Sequence, residues 1–129
     1  MTVNDNERFD VLIIGDGYGF LSSLLKSLYP NSKITLIDIG KVLLFPAVNL
    51  QIIHPHCNHT FIDSTNLNTK NFDFLYVPAE NIWNLNGVKY KLIITISAMQ
   101  EMNYETINNY FRFMRLRATE DNLFYCSSR

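Results

Sequence analysis

The sequence predicts an α/β fold, a three-layer α/β/α sandwich with a mostly parallel sheet of about five strands. Three observations support this prediction. Short apolar runs alternate with segments of helical periodicity, the first run leads directly into a glycine-rich loop at residues 15–19, and 47% of the 129 residues are hydrophobic while 18% are charged. Strands that alternate with helices imply right-handed crossovers and a mostly parallel sheet.

The first strand and the first helix have the clearest patterns. Residues 9–14 are apolar apart from Asp10 and end at a glycine, which is typical of a buried parallel strand. The apolar residues that follow recur at the spacing i, i+3, i+4, i+7, which is typical of an amphipathic helix. They are Leu21, Leu24, Leu25 and Leu28. Pro30 then predicts the end of this helix.

The middle of the chain continues the alternation. Residues 33–37 are a second predicted strand, and residues 41–53 are compatible with a second helix. Residues 54–71 are rich in His, Asn, Ser and Thr, which predicts a loop. Residues 73–77 and 90–96 are the third and fourth predicted strands.

The last two elements are a helix and a strand. Asn103 can cap a helix whose apolar stripe consists of Ile107, Tyr110, Phe111 and Met114. Residues 123–127 are the fifth predicted strand. A sheet that ends at this strand exposes an edge, so homo-oligomerisation through that edge is a further expectation.

The length of the chain fits one domain. Residues 1–8 are polar and predict a disordered tail, and residues 9–129 form the predicted domain. The first apolar run is too short for a signal peptide or a membrane span. Cys57 and Cys126 belong to no Cys-x-x-Cys motif. These observations predict a cytoplasmic protein without a membrane partner.

The charge distribution carries a second expectation about partners. The formal net charge is -1, and the densest basic stretch, formed by Arg112, Arg115 and Arg117, is no larger than a solvated helix face carries. A nucleic-acid interface normally shows a pronounced basic patch. We therefore expect no nucleic-acid partner.

The loop at residues 15–19, Gly-Asp-Gly-Tyr-Gly, is the candidate ligand site. Glycines allow sharp turns and let a ligand approach the backbone. Free N–H groups at the start of the next helix favour a carboxylate or phosphate, and open parallel sheets bind ligands at this edge. Asp38 follows Gly15 by 23 positions, at the end of the second strand, where a carboxylate can accept hydrogen bonds from both ribose hydroxyls. The loop therefore indicates a nucleoside site.

The glycine spacing distinguishes between nucleosides. A dinucleotide fingerprint is Gly-x-Gly-x-x-Gly, whose third glycine would fall on Phe20 counted from Gly15, or on Ser22 counted from Gly17. The spacing therefore argues against a nicotinamide cofactor. An NAD-dependent oxidoreductase, with Asp38 selecting NAD, stays an alternative.

Several segments resemble a known family. Residues 11–19 resemble motif I of the class I, Rossmann-like S-adenosylmethionine-dependent methyltransferases, and residues 37–39 resemble the acidic motif that follows it. Residues 94–102 are similar to the Ser-x-x-Gln-Glu-Met signature of a sugar O-methyltransferase family, and residues 124–126 resemble its fifth strand. The similarity spans roughly residues 9–128.

The resemblance implies S-adenosyl-L-methionine as cofactor and a sugar or nucleotide sugar as acceptor. It also implies a set of cofactor-binding residues: Gly15, Asp16, Gly17, Tyr18, Gly19, Asp38, Ile39, Pro78, Ala79 and Ser97. Glu101 is the implied catalytic residue, as a general base or a ligand of the acceptor hydroxyl.

The sequence also departs from this family. Ile13 stands where many methyltransferases carry an acidic residue two positions before the first loop glycine. Two further strands and their helices of the full fold are absent, so the resemblance implies a chain truncated after the fifth strand. A non-catalytic remnant that acts as a binding module is therefore a second alternative.

One polar cluster calls for a simpler interpretation. His54, His56, Cys57 and His59 lie close together in sequence, but zinc sites in short spans usually draw two ligands from each of two elements. We expect a polar surface loop here and no metal.

Overall fold

A six-stranded, all-parallel sheet forms the centre of the molecule. The computed structural model describes residues 8–62, 71–85, 88–96 and 104–127. The strands are β1 (Asp10–Ile14), β2 (Lys33–Asp38), β3 (His59–Phe61), β4 (Phe74–Pro78), β5 (Tyr90–Ile96) and β6 (Ala118–Ser127). Their order across the sheet is β3-β4-β2-β1-β5-β6, and every pair is parallel. The predicted fold class is confirmed.

Within the described ranges, three α-helices cover the two faces of the sheet. They are α1 (Phe20–Leu28), α2 (Leu44–Ile53) and α3 (Tyr104–Arg117), and a 3₁₀ helix (Ala79–Asn84) follows β4. One buried cluster joins Leu12 and Ile14 of β1 to Phe113 of α3. The other joins Ile13 of β1 to Leu50 of α2, and α1 packs against it. Because successive strand residues point to opposite faces, β1 contributes to both clusters and the fold has three layers.

The prediction of a loop over residues 54–71 is wrong at residues 59–61. These residues form β3, which pairs with β4 in the register His59 to Phe74 and Phe61 to Tyr76. All three residues of β3 are half-buried, as expected for a short edge strand. A three-residue polar edge strand has too little apolar alternation to be recognised by its pattern.

The leucine stripe of α1 does not face the core as a unit. Leu24 and Leu28 are 56% and 54% exposed, whereas Ser22 and Lys26 are buried. Partners just outside the helix satisfy the two buried polar side chains. The Ser22 hydroxyl donates to the carboxylate of Asp16, and the Lys26 ammonium donates to a backbone carbonyl. These contacts rotate the helix relative to its apolar stripe.

The C-terminal elements also differ in detail from the prediction. β6 begins at Ala118, five residues before the predicted start of the fifth strand. In α3 the fully buried ring is Phe113, while Phe111 of the predicted stripe is 39% exposed. The predicted cap Asn103 lies outside the described residues. β6 is the last strand of the described sheet and exposes Phe124 and Tyr125, and homo-oligomerisation through it stays a prediction.

Two other expectations concern the whole chain. The predicted disordered tail falls almost wholly on residues 1–7, which lie outside the described residues. In the described part of the chain, no helix is long and apolar enough to cross a membrane.

Candidate functional site

The carboxyl ends of β1, β2 and β4 place the predicted ligand residues along one edge of the sheet. Residues 15–19 connect β1 to α1, Asp38 ends β2, and Pro78 ends β4. The Gly15 N–H donates to the carbonyl of Ile37 at 3.0 Å, which ties the start of the loop to β2. Asp38 is in register with Pro78 across the β2–β4 pair. The sheet therefore brings the three segments together as the sequence predicts.

The three loop glycines adopt backbone conformations that disfavour other residues. Their φ angles are +81° at Gly15, +68° at Gly17 and +88° at Gly19. A Cβ built on Gly19 would lie 3.2 Å from side-chain atoms of Leu50 and Pro46, so this glycine also lets the loop pack against α2. A Cβ on Gly17 would meet no atom within 4 Å. Gly17 therefore faces open space that a ligand can occupy.

Asp16 caps the first turn of α1. Its Oδ1 accepts from the Leu21 N–H at 3.3 Å, and its Oδ2 accepts from the Ser22 N–H at 3.0 Å and from the Ser22 hydroxyl. Burial raises the pKa of the Asp16 carboxyl, and the hydrogen bonds from Ser22 and Leu21 oppose that shift. The expectation of free helix N–H groups for a carboxylate or phosphate is therefore wrong at Leu21 and Ser22, because Asp16 already occupies them.

Two carboxylates lie where β2 and β4 end. Asp38 is half-buried, and its Oδ1 accepts from the Ile39 N–H at 2.8 Å. Glu80, in the first turn of the 3₁₀ helix, lies near Gly40, where a Cβ would be in ordinary contact with its Oε1 at 3.9 Å. Burial, followed by the charges of Asp38 and then Glu80, raises the pKa of Tyr110 to about 12. Both carboxylates therefore act on the same buried phenol.

Sequence reasoning did not select Glu80. The signal was available, because an acidic residue two positions after the strand end at Pro78 falls on the edge where parallel sheets bind ligands. The neighbouring Pro78 and Ala79 are half-buried, while Ile39 is 59% exposed, and the contact of these residues with a ligand stays a prediction.

Tyr18 lies on the outer side of the loop and links it to α2. Its backbone carbonyl accepts from the Asn49 side-chain amide at 3.0 Å. Its ring contacts that of Phe45 edge-to-face, with 5.6 Å between the centroids, and 56% of the residue is exposed. Tyr18 is thus partly packed and partly available to a ligand.

Two predicted site residues fall outside the described part of the chain, and the residue that departs from the family pattern lies in the core. Ser97 and Glu101 lie outside the described residues, so their predicted roles stay predictions. Ile13, at the position of the missing acidic residue, is fully buried in the core.

The histidine segment is held by hydrogen bonds within the protein. The His59 Nδ1 lies 2.7 Å from the Tyr76 hydroxyl, and its Nε2 lies 2.9 Å from the His54 carbonyl. The His54 Nε2 lies 3.0 Å from the Ser23 hydroxyl. Among the described residues no group of three or more His, Cys, Asp and Glu is arranged to hold a metal ion.

Comparison with curated proteins finds relatives that act on RNA. The chain is 33% identical, over 98 residues, to the ribosomal RNA small subunit methyltransferase G of Streptococcus pneumoniae. The match covers 70% of this chain and 40% of the relative. The protein of the same name from Streptococcus agalactiae is 29% identical over the same shares. The chain therefore spans about two fifths of these relatives. No protein-family model matches it.

Comparison with solved structures finds methyltransferase folds at low sequence identity. Coclaurine N-methyltransferase, solved with N-methylheliamine and SAH, has a TM-score of 0.57 at 19% identity and covers 96% of this chain and 31% of its own. The mycolic acid cyclopropane synthase CmaA1, complexed with SAH and CTAB, has a TM-score of 0.59 at 15% identity, with 92% and 36% covered. PKMT2 from Rickettsia typhi has a TM-score of 0.60 at 15% identity, with 90% and 20% covered.

The fold is that of the class I S-adenosylmethionine-dependent methyltransferases, as the resemblance of residues 11–19 implied. The expectation about the acceptor is wrong. The resemblance implied a sugar or nucleotide sugar, and the charge distribution predicted no nucleic-acid partner, whereas the curated relatives are named as methyltransferases of ribosomal RNA. The expectation of no nucleic-acid partner rested on the net charge of -1 and on the small size of the basic stretch at Arg112, Arg115 and Arg117. Neither feature describes which residues the fold brings together at a surface that contacts a ligand.

Proposed function

We propose that this chain is the cofactor-binding part of an S-adenosylmethionine-dependent methyltransferase that acts on RNA. The observation that carries the proposal is the juxtaposition of the open face at Gly17 with the carboxylates of Asp38 and Glu80 on the edge where β1, β2 and β4 end. Parallel sheets bind nucleosides at this edge. Residues 9–129 are proposed to form this one unit, preceded by a short tail.

The residues present fit S-adenosylmethionine. In the proposed arrangement Asp38 accepts hydrogen bonds from the ribose hydroxyls, and Glu80 accepts from the exocyclic amine of adenine. Pro78, Ala79 and Ile39 flank the adenine ring. The open face at Gly17 admits the methionine portion, because glycine has no Cβ to occupy this space and, among the described residues, no atom beyond its chain neighbours lies within 4 Å of that position. Gly15, Asp16, Tyr18 and Gly19 complete the loop, and Ser97 is proposed to line the methionine side.

The cofactor supplies an activated methyl group on its sulfonium. The protein therefore contributes chiefly by holding the acceptor and the methyl group in line, excluding water and removing one proton. Glu101 is proposed for the proton step. The described residues provide the binding side of this chemistry, namely the glycine loop and the two carboxylates.

The RNA acceptor is supported by the curated relatives, whose names specify the small-subunit ribosomal RNA. A shared sequence over 98 residues at 33% identity supports a shared substrate class better than fold likeness does, because one fold hosts many reactions. The cytoplasmic location, where ribosomal RNA is present, stays part of the same proposal.

Two measurements test the proposal separately. Calorimetric titration of the chain with S-adenosylmethionine and with NAD tests the cofactor, and we expect saturable binding of the former only. A binding assay with labelled, protein-free RNA of the small ribosomal subunit, and with a panel of labelled sugars as the comparison, tests the acceptor. We expect the chain to bind the RNA and not the sugars. NAD binding without a response to S-adenosylmethionine would overturn the class of cofactor, and equal retention of unrelated polyanions would overturn the RNA proposal.

A further inference from the structure

Asp16 changes the electrostatics of the glycine loop. The N-terminus of a helix carries a partial charge of about +0.5, which in many glycine-loop proteins attracts phosphate. Here a carboxylate of unit negative charge accepts from the Leu21 and Ser22 N–H groups of that same helix start. The sum of the two charges is about -0.5. The loop therefore presents a negative potential where the fold would otherwise present a positive one.

The negative potential affects the binding of the candidate ligands in opposite ways, because their charges differ in sign. S-adenosylmethionine carries one more positive charge, on its sulfonium, than the demethylated product S-adenosylhomocysteine. NAD and ATP carry negative phosphates. The two methionine nucleosides share their contacts through adenine, ribose and the amino acid, so the sulfonium charge is the difference between them. A net negative loop therefore stabilises bound S-adenosylmethionine relative to the product. The same negative charge disfavours ligands with phosphates.

We propose that Asp16 is a specificity-determining residue that makes the loop prefer S-adenosylmethionine over S-adenosylhomocysteine by charge. This inference rests on the proposed function, since it assumes that a methionine nucleoside binds at the loop. Its consequence for turnover is that removal of the methyl group removes the attraction, which favours product release.

The position of Asp16 supports a role toward a ligand in addition to its role as a cap. The residue is half-buried and lies between Gly15 and Gly17, of which Gly17 faces open space. Ser, Thr and Asn also cap helices and have no charge, so a cap does not require Asp, although a negative charge interacts favourably with a helix start. Among these residue types only Asp reverses the sign of the local potential.

The experiment compares the ratio of the dissociation constants for the two nucleosides in three proteins. Asp16→Asn removes the charge and retains an acceptor for the helix N–H groups, and we expect the preference for S-adenosylmethionine over S-adenosylhomocysteine to fall about three- to tenfold. Ser22→Ala removes the hydroxyl that donates to Asp16 but retains the charge, and we expect its ratio to equal that of the unmodified chain. Adenosine, which lacks the sulfur and the amino acid, serves as a reference ligand whose affinity should change less than that of S-adenosylmethionine.

Salt dependence gives a second measurement on the same proteins. The preference of the unmodified chain should weaken as ionic strength rises, while that of Asp16→Asn should not. Binding of both nucleosides with a ratio unchanged by Asp16→Asn overturns the inference and leaves the proposed function intact. Absence of binding of either nucleoside to the unmodified chain overturns both.

Discussion

The two ends of the parallel sheet differ in how their charged groups are paired. At the amino end, the buried Lys26 ammonium donates to the Ser32 carbonyl and lies 3.9 Å from Asp73, whose other oxygen accepts from the Asn58 N–H at 2.7 Å. At the carboxyl end, the loop at Gly17 faces open space, and, after burial, the charges of Asp38 and Glu80 both raise the pKa of Tyr110. The Lys26–Asp73 pair at the amino end is satisfied by groups of the protein itself, whereas the carboxyl end retains charge and space.

This difference teaches where to look for function in such a fold. Polar residues are present at both ends, so their presence alone does not mark a site. A buried charge costs free energy unless it is paired, which accounts for the closed arrangement around Lys26. The carboxyl end combines negatively charged carboxylates with exposed glycine backbone. A ligand that has hydrogen-bond donors and a positive charge would stabilise this arrangement. The variants below test whether the two ends are energetically separate.

The largest expected effect on stability comes from Gly19→Ala. A Cβ at φ +88° is strained and lies 3.2 Å from atoms of Leu50 and Pro46. We expect a loss of about 2–4 kcal/mol in the free energy of unfolding, the sum of backbone strain and overpacking. Denaturant unfolding measures it. Gly17→Ala is the matched control, since it meets no atom within 4 Å and should cost only about 1–2 kcal/mol. Equal losses in the two variants would contradict the packing role of Gly19.

The next largest effect is expected on ligand binding, from Asp38→Ala. Loss of a charged acceptor for the ribose hydroxyls should weaken S-adenosylmethionine binding by about 1.5–3 kcal/mol. Calorimetry on a variant shown to be folded by circular dichroism measures this change. Lys26→Met, at the opposite end, is the comparison and should leave the affinity unchanged. An unaltered dissociation constant for Asp38→Ala would remove this residue from the site.

At the amino end we expect Lys26→Met to destabilise the fold by about 1–3 kcal/mol. Methionine retains an apolar stem, but the Ser32 carbonyl loses its donor and Asp73 loses its neighbouring charge. Thermal or denaturant unfolding measures the loss. Lys41→Met, at an exposed lysine in the turn before α2, is the control and should have little effect. If the two lysine variants behave alike, the buried ammonium contributes no net stability.

The sequence predicted the central strands and the glycine loop because their signals are local. An apolar run that ends in glycines specifies both β1 and the loop, and the resemblance of residues 11–19 added the class of fold. Asp38 could be placed at the ligand edge because it ends a strand of the parallel sheet, and the same reasoning would have found Glu80.

The remaining features depend on contacts between residues distant in sequence. The orientation of α1 is set by Lys26, which bonds to residue 32 and approaches residue 73, and no helical periodicity contains that information. β3 is defined by pairing with β4 and not by its own pattern. The expectation of a sugar acceptor came from the resemblance of residues 94–102, and the exclusion of nucleic acid came from the net charge and the small basic stretch at residues 112–117. Neither source describes the folded surface that contacts an acceptor.

The smallest expected effect is on the pH dependence of stability, and it compares the two ends of β1. Asp10 begins this strand and Asp16 follows it. Burial raises the pKa of both carboxyls above 3.8, opposed at Asp10 by the charge of Lys33 and at Asp16 by its hydrogen bonds. A carboxyl whose pKa is higher in the folded state binds its proton more tightly there than in the unfolded chain.

Both groups therefore contribute stability that is present below pH 3.8 and is lost as pH rises through their raised folded-state pKa values. Asp10→Asn and Asp16→Asn should each reduce this loss, which denaturant unfolding at a series of pH values between about 3 and 7 measures.

The two variants should differ at neutral pH. Asp10 Oδ1 is buried and has no hydrogen-bond donor among the described residues, so its neutral replacement should stabilise the fold. Asp16→Asn gives up a charge that interacts favourably with the start of α1, so its gain should be smaller or absent. Identical stability changes at neutral pH would show that the cap on α1 contributes nothing beyond an ordinary buried carboxylate.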